Sequence, residues 1–457
     1  MQDNDTIVAV ASPAGTGGVG IVRLSGSGAA ALGRQLFVPF SAAFVDFKPY
    51  TLHHGRIVDA AGEALDDALV VFMPAPKSFT GEDVFEVQCH GGACIVHSIV
   101  EAALQLGARL AERGEFSRRA LLNGRMDLTQ AEAVAELIAA PSREALRYGL
   151  NKLDGLLGQR VQALHASLEL LRVQVCVAVD FPEDEVECLS PEEFLAGAGA
   201  VVQGIDALLA GYTRARVFQQ GAQVVLAGSV NVGKSSLMNA LLGRSRALVT
   251  DIPGTTRDFL EEMLDLDGMP VRLVDTAGLR ETNEAVEGMG VALSRERMAQ
   301  ADVVVLVVDG SVGADEAAAE VLAQASVVPV VVVWNKADLA RPKVACPAWA
   351  QGAAGFVVTS ARSGEGLEAV AQCIRKVVLA DANHAPEALA PNARQAQALN
   401  RARAELAALE DDIRAGQAYD VCAVRLDAAA AHLAEVVGLD SPKELLDKVF
   451  STFCIGK

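Results

Sequence analysis

The sequence predicts a multidomain α/β protein, in which a small α+β domain is followed by a helical domain that a strand–helix domain interrupts. Three observations support this prediction. The chain has 457 residues, more than a single ordinary domain holds. About half of its residues are apolar but only 5% are aromatic, a mixture typical of helices and parallel strands. The residue pattern also changes near positions 120, 220 and 380.

Each predicted domain follows from its own pattern. Short β-like runs between Gly/Pro turns predict an α+β domain over residues 1–120. Helical spacing of Ala, Leu, Glu and Arg over residues 121–219 returns over residues 380–457. Residues 220–379 alternate strands and helices. A domain inserted between two helical segments that pack together accounts for this order.

Charge limits the function classes. The formal net charge of −19 and the pI near 4.8 argue against a protein covered in basic surface for indiscriminate nucleic-acid binding, so any RNA contact must be local. Arginines do gather between positions 109 and 125, and either a solvated helix face or a site for an anionic ligand would explain them. These residues are Arg109, Arg113, Arg118, Arg119 and Arg125.

Cysteine usage and hydropathy bear on location. The 8 cysteines show no Cys-x-x-Cys pair and no zinc-like spacing with histidine, which is typical of a reduced cytosolic protein. The N-terminus begins acidic, and the longest apolar runs, such as residues 327–334, fall short of the roughly 18 residues that a membrane span needs. We expect a cytoplasmic protein that is neither secreted nor inserted into a membrane.

Residues 224–242 match the P-loop pattern in its strand–loop–helix context. Backbone N–H groups of such a loop turn inward on phosphates, and the N-terminus of the following helix adds positive potential. Lys234 would reach the β- and γ-phosphates, and Ser235 would offer its hydroxyl to Mg²⁺. A chance Gly-rich turn is a poor alternative in this context, so the segment predicts a nucleoside triphosphate site.

The motifs that follow select the nucleotide, and each lies at the C-terminal end of a predicted strand, where parallel α/β sheets bind ligands. Asp275 can reach the Mg²⁺ shell, and the N–H of Gly278 can meet the γ-phosphate. Asp338 of the Asn-Lys-x-Asp motif can accept hydrogen bonds from guanine N1–H and the 2-amino group, which adenine does not match. The motifs predict GTP and a Ras-like P-loop G domain. The predicted GTP-binding residues are Asn231, Val232, Gly233, Lys234, Ser235, Ser236, Thr250, Asp251, Ile252, Pro253, Gly254, Thr255, Thr256, Asp275, Thr276, Ala277, Gly278, Asn335, Lys336, Ala337, Asp338, Ser360, Ala361 and Arg362.

A first switch loop is predicted over residues 250–258, between the P-loop and the Asp-Thr-Ala-Gly turn. Thr256 could offer its hydroxyl to Mg²⁺ and its backbone to the γ-phosphate, so Ser235 and Thr256 are the predicted Mg²⁺ ligands. The alternative is a polar loop before a hairpin that turns at residues 267–268.

Four features together resemble a known family. They are Asn231 in the P-loop, Gly-Thr-Thr-Arg-Asp in the switch loop, Asp-Thr-Ala-Gly-Leu-Arg from position 275, and Cys-Ile-Gly-Lys at the end of the sequence. Residues 3–9 and 114–117 add further matches near the front. The chain resembles the MnmE, or TrmE, family of bacterial tRNA-modification GTPases over its whole length, and Cys-Ile-Gly-Lys is the most specific mark.

The resemblance implies a homodimer whose N-terminal domain binds 5-formyltetrahydrofolate or another tetrahydrofolate one-carbon donor. With the flavoprotein MnmG, in a heterotetramer, the family installs aminomethyl or carboxymethylaminomethyl groups on C5 of the wobble uridine of certain tRNAs. By motif matching, Arg23, Glu86 and Lys457 correspond to folate contacts. Arg125 is a further folate contact at a position where the family often has Lys.

The resemblance also implies K⁺-activated hydrolysis. Leu279 follows the Asp-Thr-Ala-Gly turn, so the glutamine that orients the attacking water in many GTPases is missing there. By match to the family, Glu287 is the catalytic residue that acts through water, while K⁺ replaces an arginine finger. The alternative for Glu287 is a solvent-facing acid at a helix start. The implied K⁺ ligands are Asn231, Thr250, Ile252 and Thr255.

The end of the sequence is the second catalytic candidate. The resemblance makes Cys454 functional in the tRNA chemistry, near the folate. Val449, Phe450 and Phe453 precede it in a helical pattern, and we expect them to dock the end against the N-terminal domain of the partner subunit. That docking would place Lys457 and the thiol beside the folate.

Two other functions compete with this interpretation. One is a GTP-switched ribosome-assembly or RNA-binding factor without covalent chemistry. Such factors typically append a compact RNA-binding domain, whereas this sequence resembles a folate-binding domain at its front and carries Cys-Ile-Gly-Lys at its end. The other is a folate-binding module that uses GTP only to set its conformation.

Overall fold

The computed structural model describes residues 5–180, 190–244, 261–275, 296–323, 327–342, 346–380, 389–439 and 442–457. The chain divides into two compact units. The N-terminal unit contains Met1–Ala135, Lys152–Ala166 and Ala430–Lys457. The G-domain unit contains Glu136–Asn151 and Ser167–Ala429. The residue bounds of the three predicted domains stay a prediction.

The N-terminal unit is built on a seven-stranded sheet of order β3-β4-β5-β6-β2-β1-β7, in which β1 and β7 form the parallel pair. Its strands are β1 (Ile7–Val10), β2 (Gly17–Ser25), β3 (Phe37–Pro39), β4 (His53–Val58), β5 (Ala64–Met73), β6 (Val84–Gly91) and β7 (Arg109–Leu110). Helices α1 (Ala29–Leu36) and α2 (Ala93–Gln105) bury their apolar residues in one core with this sheet. Alternate residues such as Val22 and Leu24 point into that core, as the two-residue period of a strand requires.

The structure confirms the predicted α+β character of the front of the chain. The β-like runs of the sequence, over residues 6–10, 19–24, 68–72 and 84–87, lie at β1, β2, β5 and β6. Strands β3, β4 and β7 were not predicted. Strand β4 carries two His, a Gly and an Arg, and it is a strand because its residues pair with those of β5. One such pair is Arg56 with Asp67, whose side chains lie 3.0 Å apart.

Helices follow where the sequence predicted them. Helix α3 (Glu115–Leu122) crosses the predicted boundary at residue 120, and the first helical segment holds α4 (Leu128–Ala139), α5 (Arg143–Leu153), α6 (Leu156–Asp180) and α7 (Pro191–Gln220). The second segment holds α11 (Ala393–Arg414), α12 (Tyr419–Val437) and α13 (Lys443–Phe450). The helices numbered between α7 and α11 belong to the G domain and are given with it below. Helix α7 packs along α11, as expected of two helical segments that meet after an insertion. Both helices begin with a capping box, at Ser190 and at Asn392.

Helix α7 departs from the hydropathy expectation. Within it, Glu192–Gln220 is long and apolar enough to cross a membrane, although only 39% of its most apolar window is buried in the structure. One such helix is weak evidence for a span, because the packing helices of a protein core pass the same test. Here Val201, Ile205 and Leu208 are buried, and Phe218 enters the core beneath the second sheet. Packing inside the G-domain unit accounts for these buried apolar residues.

The inserted domain has a six-stranded sheet of order β13-β12-β11-β8-β10-β9, parallel except for the edge strand β9. Its strands are β8 (Ala222–Ala227), β9 (Glu261–Leu266), β10 (Met269–Asp275), β11 (Val303–Asp309), β12 (Val330–Asn335) and β13 (Gly355–Val358). Its helices include α8 (Lys234–Arg244), α9 (Glu316–Ala323) and α10 (Leu367–Val378). Nearly unbroken buried Val runs in β11 and β12 are typical of parallel strands covered on both faces. The predicted strand–helix fold is confirmed.

The arginines near position 110 bind the chain's own carboxylates. Arg109 lies 2.7 Å from Asp5 and 2.6 Å from Glu115. Arg119 lies 2.6 Å from Asp5, 3.0 Å from Glu115 and 3.1 Å from Glu82. Neither a solvated face nor an anionic-ligand site describes these two arginines, because their charges are already matched within the domain. The network joins the start of the chain to α3.

Glu115 is the central acid of this network, and its side chain is only 2% exposed. Burial, the largest single effect on its pKa, raises it. Hydrogen bonds from Arg109, the backbone N–H of Glu112 and Arg119 together outweigh burial, so the pKa of Glu115 lies below its usual value of 4.5. A carboxyl whose pKa is lower in the folded than in the unfolded chain stabilises the fold above the unfolded pKa, and that contribution is lost as the pH falls through the folded pKa.

We therefore expect Glu115→Gln to lower the free energy of unfolding at pH 7 by about 2 kcal/mol, because the two arginines lose a buried charged partner. The difference from the wild type should shrink as the pH falls below about 4. Urea unfolding at several pH values measures it. Glu63→Gln, at an exposed position before β5, is the control. Equal unfolding curves for Glu115→Gln and wild type at pH 7 would contradict the assignment.

Candidate functional site

The loop between β8 and α8 has the backbone that a phosphate cradle needs. Gly228 and Gly233 have φ of 134° and 98°, in the region that favours glycine. A side chain at Gly228 would clash with the carbonyl of Val307, and one at Gly233 would clash with the amide of Asn335. Glycine is therefore required at both positions by conformation and by close approach. Sequence and structure agree on this loop.

Lys234 occupies the first turn of α8 and is 7% exposed. Its Nζ donates to the carbonyls of Gly228 and Ser229, at 3.0 and 2.8 Å, so the loop holds the ammonium in place. A fixed ammonium together with the N-terminus of a helix forms a binding site for anionic phosphates.

Ser235 and Asp275 meet at the same edge of the sheet. The Ser235 hydroxyl donates to Oδ2 of Asp275 at 3.0 Å, and Asp275 is buried at the end of β10. Mg²⁺ in nucleotide sites takes one or two oxygen ligands from the protein and the rest from phosphates and water. This pair of oxygen donors fits that requirement, and it joins two residues that the sequence singled out separately.

The guanine motif is tied to its neighbours by side-chain hydrogen bonds. Asn335 is 2% exposed, and its Nδ2 donates to the carbonyl of Val232 at 2.9 Å. Its Oδ1 accepts from the N–H of Ala361 at 3.1 Å. Asp338 accepts from the hydroxyl of Ser360 at 2.6 Å. Hydrogen bonds therefore bring the P-loop, the Asn-Lys-x-Asp motif and the Ser-Ala-Arg segment together, although they lie far apart in the sequence, and their binding of GTP stays a prediction.

Asp309 joins this site, although the sequence analysis did not single it out. Its Oδ2 lies 2.6 Å from Nζ of Lys336, which also donates to the carbonyl of Asn231 at 2.9 Å. The signal that could have identified it is its place at the C-terminal end of a buried parallel strand, the rule that identified Asp275 and Asn335.

Several predicted residues cannot be placed, so the switch loop, the K⁺ ligands within it and the water-orienting glutamate stay predictions. Of the other predicted GTP-binding residues, Ser236 and Arg362 are exposed and Ala337 is buried. The residues outside the described part of the chain are Thr250, Asp251, Ile252, Pro253, Gly254, Thr255, Thr256, Thr276, Ala277, Gly278, Leu279 and Glu287.

A second polar site lies in the N-terminal unit. Arg23 on β2 faces Glu86 on β6, and Nε of Arg23 donates to Oε1 of Glu86 at 2.6 Å. The guanidinium lies 5.8 Å from the Phe79 ring and 5.7 Å from the Phe116 ring, within cation–π range. Its Nη1 also contacts the carbonyl of Gly456 at 3.4 Å. Two predicted folate residues are thus adjacent, and the end of the chain reaches them.

The remaining predicted folate residues lie near this site. Arg125 donates from Nε to the carbonyl of Ser78 at 3.1 Å, and Ser78 precedes the Phe79 whose ring faces Arg23. Lys457 follows Gly456, the residue that Arg23 contacts. The structure therefore gathers Arg23, Glu86 and the chain end, and it brings Arg125 to the neighbouring loop.

The end of the chain docks on its own N-terminal unit. Phe450 and Phe453 are buried in a cluster with Leu128. Helix α13 is also held to α3 by an ion pair of 2.8 Å between Arg118 and Asp447. These contacts fix the chain just before the Cys-Ile-Gly-Lys motif.

The motif itself follows the same surface. Ile455 forms an antiparallel bridge with Arg113, and the carbonyl of Cys454 accepts from the N–H of Gly114 at 3.4 Å. Gly456 has a φ of 90°, and a side chain there would clash with the carbonyl of Val10. These backbone contacts form within one chain, and the expected docking on a partner subunit stays a prediction. The thiol of Cys454 is exposed.

Comparisons with known proteins identify the family. Residues 6–125 match the family model described as GTP-binding protein TrmE N-terminus, and residues 128–454 match that of the MnmE helical domain. The chain is 56% identical over 460 residues to the tRNA modification GTPase MnmE of Nitratidesulfovibrio vulgaris strain Hildenborough, with 100% of each chain covered. It is 45% identical to that of Lawsonia intracellularis, over 99% of this chain and 100% of the relative.

Among solved structures, the G domain of the T. maritima FeoB iron transporter matches 34% of this chain and 98% of its own length, at 28% identity and a TM-score of 0.27. The family is shown by the models and by the full-length relatives, and they confirm the resemblance that the motifs indicated. The chain belongs to the MnmE family of tRNA modification GTPases.

Proposed function

We propose that this chain is a K⁺-activated GTPase that, with the flavoprotein MnmG, installs aminomethyl or carboxymethylaminomethyl groups on C5 of the wobble uridine of certain tRNAs, using a tetrahydrofolate one-carbon donor. The observation that carries the proposal is the presence of two separate polar sites in one chain. One gathers the nucleotide motifs around Lys234, and the other gathers Arg23, Glu86 and the chain end. A homodimer, a heterotetramer with MnmG and a cytoplasmic location belong to the same proposal.

The nucleotide site performs binding and orientation. Lys234 and the loop N–H groups receive the phosphates, while Asp338, oriented by Ser360, receives the base. Ser235 and Thr256 would hold Mg²⁺, and Asp275, hydrogen-bonded to Ser235, would reach its shell; the ion would supply positive charge to the phosphates. Glu287 would orient the attacking water, and Asn231 with Thr250, Ile252 and Thr255 would hold K⁺. These roles of Glu287 and Asn231 come from the match to the family.

The N-terminal site suits a folate. Glu86 and Arg23 are side by side and mostly buried, with 13% and 17% of their side chains exposed. A pterin ring carries adjacent N–H donors like those of guanine, and a carboxylate is their natural acceptor. The rings of Phe79 and Phe116 keep the guanidinium in place. Cys454 lies two residues before the Gly456 carbonyl that Arg23 contacts, so we assign the thiol to the transfer chemistry at this site.

Full-length identity to proteins named tRNA modification GTPases disfavours the two alternatives, a ribosome-assembly factor and a folate module that uses GTP only as a conformational signal. Nucleoside analysis separates the proposed function from both alternatives. Only the proposed function requires the wobble uridine to change when the protein is removed.

Guanine specificity is expected to reside in Asp338. In Asp338→Asn an amide replaces the carboxylate, so the pair of guanine donors loses its match and GTP affinity should fall about a hundredfold or more. Xanthosine triphosphate, which presents the complementary pattern, should gain affinity. Equilibrium titrations with both nucleotides measure the change, and unchanged GTP affinity would remove Asp338 from the base site.

Hydrolysis is expected to depend on the monovalent cation and on Glu287 together. Wild-type turnover should be higher in K⁺ than in Na⁺ at matched ionic strength, because the size of the ion governs its fit to the proposed ligands.

Glu287→Ala should slow turnover in both salts while GTP affinity stays within about twofold, since a water-orienting group acts mainly in the transition state. Equal wild-type rates in the two salts would contradict K⁺ activation, and a large loss of affinity in Glu287→Ala would indicate a structural role.

Cys454→Ser is expected to abolish wobble-uridine modification while folding, dimerisation and K⁺-stimulated hydrolysis stay near normal, because the thiol lies far in the chain from the nucleotide motifs. The measurement pairs a GTPase assay with nucleoside mass spectrometry on the same variant. Cys94→Ser, another exposed cysteine of the N-terminal unit, is the matched control and should retain both activities. Normal modification in Cys454→Ser would exclude the thiol from the transfer chemistry, and equal loss of both activities would make its role structural.

A further inference from the structure

A short chain of contacts joins the end of β11 to the P-loop. Nζ of Lys336 lies 2.6 Å from Oδ2 of Asp309 and 2.9 Å from the carbonyl of Asn231. The Asp309 side chain is 14% exposed and that of Lys336 is 31% exposed. This ion pair is therefore partly withdrawn from water, unlike the exposed pairs whose contribution is usually small.

The two ends of this contact have unusual backbones. Asn231 has a φ of 63° and Lys336 a φ of 60°, and both lie in the left-handed region that residues other than glycine seldom adopt. Such conformations persist when the surrounding contacts hold them, and they gather at ligand sites. The ammonium of Lys336 supplies such a contact, because it binds the carbonyl of Asn231 itself.

Asp309 is itself held in place. Its Oδ1 accepts from the N–H and the hydroxyl of Ser311, at 2.9 and 2.6 Å, while the adjacent Gly310 donates to the carbonyl of Asn335 at 2.8 Å. Partial burial is the largest single effect on the Asp309 pKa and raises it, but the hydrogen bonds from Lys336 and Ser311 outweigh burial and keep the pKa below its usual value. The hydrogen bonds from Ser311 orient the carboxylate toward Lys336.

The geometry points to Asp309 as a positioning residue of the nucleotide site, which draws Lys336 onto the P-loop and thereby sets the affinity for guanine nucleotides. The P-loop receives the phosphates and the Asn-Lys-x-Asp motif receives the base, so a nucleotide must contact both at once. A bond that fixes their spacing beforehand lowers the cost of ordering on binding. Asp309 does this without touching the nucleotide. The inference rests on the nucleotide site of the proposed function and is independent of the tRNA chemistry.

Asp309→Asn tests the inference, because the amide keeps an acceptor for Ser311 but cannot accept from Lys336 with its nitrogen. Affinities for GDP and GTP should both fall about five- to tenfold, since a charge-assisted bond is lost that does not involve the γ-phosphate. Most of the change should lie in faster dissociation. The kcat at saturating GTP should change less than about twofold while KM rises. Stopped-flow release of a fluorescent GDP analogue and steady-state hydrolysis measure these quantities.

The matched control is Glu368→Gln. It makes the same carboxylate-to-amide change in the G domain and breaks an exposed pair with Arg244 at 3.2 Å, away from the nucleotide motifs. Its nucleotide affinity should equal that of the wild type. If both variants weaken binding equally, a general loss of charge explains the result and the inference is overturned.

A double-mutant cycle isolates the coupling. Lys336→Met removes the ammonium, so adding Asp309→Asn in that background should change the affinity less than about twofold. Additive losses would overturn the inference, since they would show that Asp309 acts without Lys336.

Asp309→Glu should recover part of the affinity, whereas a purely structural role would show as a lowered Tm of the nucleotide-free variant with unchanged dissociation. If Asp309→Asn does not fold, Lys336→Met alone decides, because affinity equal to the wild type would also overturn the inference. The outcome is distinct from failure of guanine recognition, which wild-type titrations with GTP test directly.

Discussion

The nucleotide chemistry depends on the parallel register of β8, β10, β11 and β12. Asp309 at the end of β11 is paired with Asn335 at the end of the neighbouring strand β12. Asp275 ends β10, which pairs with β8 on its other side. Because carboxyl ends of parallel strands meet at one edge, these polar residues and the P-loop gather there without any long insertion. The buried Val runs that hold the strands together carry no chemistry themselves. They fix the positions of the residues that do, so a change in their packing would disturb every motif at once.

In the N-terminal unit, ion pairs hold the elements of the fold together. Arg109 and Arg119 join strand β7, helix α3 and the start of the chain through Glu115 and Asp5. On the same sheet, Arg23 binds Glu86 and reaches the carbonyl of Gly456, 433 positions away in the sequence. The first strands and the last residues therefore complete one site. That arrangement explains why a chain end, usually mobile and replaceable, has a defined conformation here.

Sequence patterns identified the strands that carry apolar runs and missed strands that form through pairing with their neighbours. Strands β1, β2, β5 and β6 carry apolar or β-branched runs that can be recognised locally. Strand β4, with His53, His54, Gly55 and Arg56, has no such run and becomes a strand through its partners on both sides. Helix α7 shows the reverse case. Its apolar length alone meets the test for a membrane span, whereas in the structure its buried residues pack against α11 and around Phe218.

The sequence by itself determined the nucleotide class, the inserted α/β domain and the family, because the P-loop, Asn-Lys-x-Asp and Cys-Ile-Gly-Lys motifs are local runs whose chemistry their residue types define. Only the tertiary structure decided which carboxylate each arginine binds, that Asp309 supports Lys336, and that the Cys454 segment contacts the N-terminal unit of its own chain. The physical reason is that these interactions join side chains and carbonyls that the fold brings within about 3 Å, and no local pattern records which distant partner a polar group will meet.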